Sequence, residues 1–317
     1  MTTPVLLRGG TVVDGTGSAP QPNTDVLLDG DAIVAVGTNI APGVTDREVT
    51  TIDVTGCTVM PGLIDAHCHI TFGEPRSNDE LFFHRSSATA MALAAFNVQK
   101  LLRAGVTGFL DADCIFDLGP ALRDAIEAGL VEGPRMTAGM NALLTAAAGT
   151  AGRLIPDEGT IGYAQVVRDR DEMVRTTRQQ VKYGADWIKM YGSTGSDQDV
   201  TGFQTFTQEE MHAAVEIAHR YGKRVAIHSY GPEGAAAAVR AGADSVEHAT
   251  DMDDATIAEM VKRGTVYVPT VEHNQFYIDH RDEFGYGPEV ADGLRAYIRR
   301  NAETFVLWEA VRAGLRG

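Results

Sequence analysis

The hydrophobic pattern changes character near residue 60. Before it, apolar residues come in short runs separated by turn residues. Val5-Leu6-Leu7-Arg8 and Thr11-Val12-Val13 flank Gly9-Gly10, and Asp14-Gly15 marks a turn. Asp25-Val26-Leu27-Leu28 and Ala32-Ile33-Val34-Ala35-Val36 flank Asp29-Gly30-Asp31, a hairpin signal. The stretch Asp53–Met60 then leads onward. This reads as a small N-terminal β module over residues 1–60.

From residue 61 to 317, short apolar strands alternate with helical stretches, the rhythm of βα units on a parallel sheet. The pattern predicts strands at 59–67, 107–111, 135–141, 187–191, 224–228, 245–248 and 265–270. It predicts helices at 87–104, 117–129, 168–183, 207–221, 232–241, 253–263 and 288–314. An Ala/Gly/Thr-rich loop is expected after Asn141, and an irregular segment around Asp279 and Asp282. Thr207 is placed to cap its helix ahead of Glu209-Glu210. The fold class is therefore α/β on a parallel sheet, and seven strands are one fewer than a closed (β/α)8 TIM-type barrel needs. Arg103-Ala104-Gly105 and Arg240-Ala241-Gly242 each precede a strand, and Arg312-Ala313-Gly314 stands near the last residue. Strand 8 is expected to be lacking.

Composition narrows the function. The chain of 317 residues is 44% hydrophobic and 22% charged, as in globular domains. A formal charge of −16 argues against nucleic acid as a partner. No apolar run approaches the length of a membrane span, and Met1-Thr2-Thr3-Pro4 has no secretory signal character, so no membrane partner is expected. Cys57, Cys68 and Cys114 do not make a disulfide framework, and a reduced, cytoplasmic setting is expected.

The chemistry is concentrated at Val59-Met60-Pro61-Gly62-Leu63-Ile64-Asp65-Ala66-His67-Cys68-His69. On a strand, residues i and i+2 share a face, so His67 and His69 project together, and imidazoles held that way suit zinc and similar ions. Cys68 faces the other way and reads as packing. Lys189, in Asp186-Trp187-Ile188-Lys189-Met190-Tyr191, is odd on an apolar strand. It is either a snorkelling lysine or a functional one. His228 and His248 each end a strand, where a single histidine is more often a satisfied structural residue than a ligand. His212, His219 and His84 read as surface or loop residues.

The first of these runs resembles the first-strand signature of the amidohydrolase superfamily, whose members hydrolyse amide, ester and related bonds with one or two metals at the mouth of a (β/α)8 barrel. Lys189, His228 and His248 match the family's strand-4, strand-5 and strand-6 ligands in order. The resemblance implies two divalent metal ions, zinc foremost, held by His67, His69, carbamylated Lys189, His228 and His248. It also implies that the N-terminal module is a β-sandwich completed by C-terminal strands, expected here to be lacking. The lines Asp186–Gly195 and His228–Pro232 bring the chain nearest to the imidazolonepropionase-like and Xaa-Pro or Xaa-Arg dipeptidase branch.

The implied reaction is hydrolysis of a dipeptide or N-acyl amino acid by a metal-bound hydroxide. The family's strand-8 aspartate, its acid/base, has no counterpart among the aspartates after Lys189. Tyr230 is placed either to stabilise oxyanion charge on the substrate carbonyl or to pack over the strand end. Tyr191, with the Gly192–Gly195 stretch, lines the pocket or belongs to an ordinary loop. His273 follows strand 7 and could face substrate. Asp111 and Asp113 end strand 2 where relatives often have Arg-Asp, with Leu110 replacing the arginine. Ala148-Gly149-Thr150 stands where many relatives carry Gly-Gly-His. Two other readings stand beside the first: a non-catalytic fragment, and a single-metal deaminase, against which Lys189 argues. A homo-oligomer is expected.

Overall fold

The structure is a computed structural model that describes residues 3–41, 47–73, 80–147, 162, 164–194, 202–249, 252–284 and 287–304. The chain divides into two compact units, Met1–Leu63 and Ile64–Gly317.

The first unit is one sheet of β1 (Val5–Val12), β2 (Gln21–Asp29), β3 (Ala32–Gly37), β4 (Thr50–Asp53) and β5 (Thr58–Val59). The order is β3-β2-β1-β4, with β5 also on β1. Strands β1, β2 and β3 pair antiparallel, and β4 and β5 run parallel to β1. Gly9-Gly10 does not separate two strands, as the pattern suggests. It is a bulge within β1, where the pairing to β2 shifts register and Gly9 adopts φ 79°. The buried Asp25 holds this irregularity, accepting from Gly9 N at 2.9 Å and Ile40 N at 3.0 Å.

The second unit carries β6 (Leu63–Cys68), β7 (Val106–Asp111), β8 (Arg135–Ala138), β9 (Ala142–Leu144), β10 (Ala164–Val166), β11 (Trp187–Tyr191), β12 (Arg224–Ser229), β13 (Ser245–His248) and β14 (Val266–Val268). Its helices are α1 (Ser87–Arg103), α2 (Gly119–Glu127), α3 (Arg170–Lys182), α4 (Gln208–Arg220), α5 (Pro232–Ala241), α6 (Asp254–Arg263), α7 (Val271–Asp279), α8 (Arg281–Phe284) and α9 (Pro288–Thr304). One sheet runs β6-β7-β8 and a second, parallel throughout, runs β10-β9-β11-β12-β13-β14.

Strand β8 covers the first part of the expected third strand and ends early, and β9 begins just beyond that strand's expected end. The break falls where Gly139 presses on β7: a Cβ there would lie 2.5 Å from both the Asp111 and Ala112 carbonyl oxygens. Asp186, just before β11, holds the end of β8: its N–H donates to Ala138 O at 2.8 Å while Ala138 N donates to its carboxylate at 3.0 Å, and β9 pairs on β11 itself. The result is an α/β arc of seven strand positions in chain order. Among the described residues, no further strand pairs with β6 or β14. Ile64 on β6 is 78% exposed.

Two expectations are corrected. The segment after Asn141 contains β9 and the extra strand β10 rather than loop alone. Residues 271–284 form helices α7 and α8 rather than irregular chain. That segment has no glycine or proline to interrupt a helix. The expected helix 288–314 is seen as α9, its remainder lying outside the described residues.

Alternation along the strands sorts the side chains. Ile188, Met190, Val225, Ile227 and Val246 pack with Met211, Val215, Ala238 and Met260 of α4, α5 and α6 in one core. Their alternate neighbours Lys189, Tyr191, His228 and Glu247 therefore point to the face away from the helices. The helices are fixed by caps: Ser86, Asp169 and Asp253 accept from backbone N–H groups, and Thr207 with Glu210 forms a capping box on α4.

Gly139→Ala is expected to lower stability by about 1–3 kcal/mol, because the added methyl meets two backbone oxygens. Denaturant unfolding checks this: a lower midpoint at unchanged slope is the expected result.

Candidate metal centre

Strand β6 delivers His67 to the face away from the helices, while Cys68 joins the apolar cluster beside α1. His69 lies one residue beyond β6. The backbone after it is held by Asp111, which accepts from Ile70 N at 3.1 Å. The two imidazoles turn Nε2 toward each other at 3.1 Å. His228, at the end of β12, and His248, at the end of β13, close the group: ring centroids are 5.1 Å apart for His67 and His248 and 4.5 Å for His228 and His248.

Strand alternation would send His248 to the helix side, because its neighbour Glu247 already faces inward. The chain resolves this with a left-handed backbone, φ 65° at His248 and 40° at Ala249, which returns the imidazole to the same face. Thr270, itself left-handed at φ 49°, meets His248 Nδ1 through its hydroxyl at 2.6 Å. Such conformations cost about 1–3 kcal/mol each and persist where the surroundings over-determine them.

Lys189 is 1% exposed and Glu247 fully buried, and the ammonium donates to Glu247 Oε2. Glu247 Oε1 stands 2.9 Å from His67 Nδ1, without the alignment of a hydrogen bond. His69 Nδ1 is 2.9 Å from Asp113 Oδ1, and Asp113 Oδ2 accepts from the Tyr191 hydroxyl at 3.4 Å. Tyr191 stacks on His228 at 4.4 Å, and Tyr230 on His248 at 4.8 Å.

Thus the structure brings His67, His69, Lys189, Tyr191, His228, Tyr230 and His248 to one place. His273 belongs to α7, and its side chain lies outside the described residues. Glu247, Asp113 and Thr270 are site residues that the sequence reading gave no part. A glutamate inside the four-residue strand Ser245–His248 was the available signal for the first.

Burial sets the electrostatics. It lowers the His67 pKa to about 4 against the pull of Glu247. It lowers His228 to about 3, with the Lys189 charge adding to the effect. Burial alone would raise Glu247, but Lys189 and His67 reverse this and hold it well below the usual carboxylate range. Asp113 is likewise lowered, His69 overcoming its burial, while burial pushes Asp111 up.

The donor set fits a divalent cation. His228 Nε2, His67 Nδ1 and Glu247 Oε1 are buried without hydrogen-bond partners. One ligand atom each from His67, Glu247 and His248 lies within 4.8 Å of the others. Neutral imidazoles and carboxylates are what zinc and related ions take.

Comparison with known proteins places this geometry. The Amidohydrolase family model matches residues 58–316. The chain belongs to the amidohydrolase family. It is 27% identical over 244 residues to an uncharacterized protein of Mycobacterium tuberculosis, covering 76% of this chain and 58% of that one. It is 30% identical over 232 residues to the ochratoxinase of Aspergillus niger, covering 67% of this chain and 47% of the ochratoxinase. The chain thus spans about half the length of these curated relatives. Among solved structures, a prolidase complexed with N-methylphosphonate-L-proline superposes with a TM-score of 0.82 at 26% identity, over 99% of this chain and 77% of that one. A Xaa-Pro dipeptidase with bound methionine gives 0.80 at 28% identity, over 99% and 78%. These neighbours share the α/β barrel architecture. No helix among the described residues is long and apolar enough to cross a membrane.

The depressed histidines predict a pH dependence. Each stays neutral when folded but protonates near 6.5 when unfolded, so the unfolded chain binds more protons below that pH. Stability of the metal-free chain is expected to be full above pH 6.5 and to fall as pH drops toward about 4 for His67 and about 3 for His228. Thermal melts between pH 7.5 and 4.5, set by these values, check it; a flat midpoint would contradict the assignment.

Proposed function

We propose that this chain carries the metal centre of an amide hydrolase acting on a dipeptide or N-acyl amino acid. What supports the reading most is the convergence of four imidazoles and a buried lysine, with His228 Nε2, His67 Nδ1 and Glu247 Oε1 buried outside any hydrogen bond. Active sites of barrel enzymes are built at strand ends. The prolidase and dipeptidase likenesses support the substrate class.

His67, His69, His228 and His248 would hold two divalent ions, zinc foremost. Lys189 would join them as its carbamate, formed when the free amine adds to CO2 and loses a proton. That replaces a buried positive charge with an anionic oxygen donor. The ions, when bound, would polarise the scissile carbonyl and lower a water's pKa to about 7. Every other role falls to side chains. Burial keeps His67 and His228 neutral at physiological pH, the protonation state that ligation requires. Tyr230 is 1% exposed with its ring braced on His248, and its hydroxyl would donate to the substrate oxygen as charge develops. Tyr191 and His273 would line the substrate side. We read the chain as a cytoplasmic homo-oligomer acting on small molecules.

The test is amine release from Xaa-Pro dipeptides and N-acyl amino acids by the purified chain supplied with zinc and bicarbonate. Turnover that a chelator abolishes is the expected result; a chain that binds no zinc, or turnover that survives the chelator, would overturn the proposal. Tyr230→Phe is expected to reduce kcat by about 10²-fold while leaving zinc binding intact, as for loss of one oxyanion donor; a wild-type kcat would remove Tyr230 from the mechanism.

A further inference from the structure

His69 lies past the last residue of β6, so no sheet ladder fixes its direction. Two contacts do so instead. The ring stacks on Phe72 at 4.4 Å with the planes 9° apart, which sets its plane. Asp113 Oδ1, 2.9 Å from Nδ1, sets its rotation within that plane. Of the two ring nitrogens, Nε2 is then left facing His67 Nε2 at 3.1 Å.

Asp113 is fully buried, and a buried carboxylate is costly unless its oxygens are matched. Both are spent on this site: Oδ1 on His69 and Oδ2 on the Tyr191 hydroxyl. Tyr191 in turn stacks on His228. Asp113 therefore joins an imidazole from the first strand to an aromatic ring that packs on the imidazole of β12. It does so from the turn after β7, two residues beyond the last strand residue Asp111. The backbone-anchoring duty in this turn belongs to a different carboxyl, Asp111 on Ile70 N.

We infer that Asp113 is a positioning residue: it keeps the His69 proton on Nδ1 and so presents Nε2 as the ligand atom. The inference rests on the metal-centre reading above, since a fixed tautomer matters only if Nε2 takes an ion. A carboxylate behind a ligating histidine orients the ring and raises its basicity, and its loss weakens metal binding by about 10–100-fold. Tyr191 steadies the carboxylate, which gives that tyrosine a part in the site besides any contact with substrate.

The test uses the full chain, its Asp113→Ala and Asp113→Asn variants, and two readouts. Nitrogen-15 imidazole NMR of the metal-free protein reports the His69 tautomer; competition with a chromogenic chelator reports zinc affinity. The expected result is a single Nδ1–H tautomer in the wild type and a tautomer mixture in Asp113→Ala, with zinc held about 10–100-fold more weakly. Asp113→Asn, whose amide oxygen still accepts from Nδ1, should fall nearer the wild type in both readouts. A wild-type His69 protonated on Nε2 would overturn the inference, as would a folded Asp113→Ala that keeps one tautomer and wild-type zinc affinity. Should Asp113→Ala fail to fold, the wild-type tautomer and Asp113→Asn decide. Should no form bind zinc, the metal-centre reading fails, and the tautomer still judges the role of Asp113 separately.

Discussion

A buried ion pair organises the centre of this unit. Lys189 from β11 and Glu247 from β13 meet on the face of the strand arc away from the helices, across the intervening β12. In the metal-free chain neither charge can remain there alone, since removing one partner of a buried pair leaves the other uncompensated, at a cost of about 3–5 kcal/mol. Glu247 carries a second duty, because its other oxygen stands beside His67. One carboxylate thus links a first-strand imidazole to the buried lysine. With Glu247 facing inward, His248 can reach the same space only through a left-handed backbone, and Thr270 fastens it there. Much of the site's geometry follows from placing this one pair.

The same logic explains how much was legible in the sequence. His67 and His69 could be read together because two-residue spacing has one meaning on a strand, and Lys189 because an apolar strand makes a charged residue conspicuous. His228 was legible from the clean apolar run before it, and His248 from its place at the end of the next strand. Glu247 was not, since period-two alternation sets it opposite His248, and nothing local announces the reversal at φ 65°. Asp113 sits in a turn, where aspartate is ordinary; only the fold brings it to His69.

The fold was legible in the same uneven way. The alternation of apolar strands and capped helices foretold the parallel arc, and all seven expected strand positions are occupied. The early end of the third strand was hidden, because it comes from a close approach of Gly139 to β7 and not from local propensity. Strand β10 was hidden for a related reason: three residues paired to β9 carry too short a pattern to read. In the first unit, Gly9-Gly10 has the composition of a turn, yet Asp25 captures the Gly9 N–H and holds the pair as a bulge.

The central claim is that imidazoles from β6, β12 and β13, with Lys189, form one centre for divalent ions. Elemental analysis of the folded chain after loading with zinc and bicarbonate tests it most directly. The account predicts about two zinc ions per chain, as in two-metal sites, and their loss when His67 and His248 are both replaced by alanine. A folded chain that retains no zinc after desalting, or one whose zinc content ignores those replacements, would contradict it.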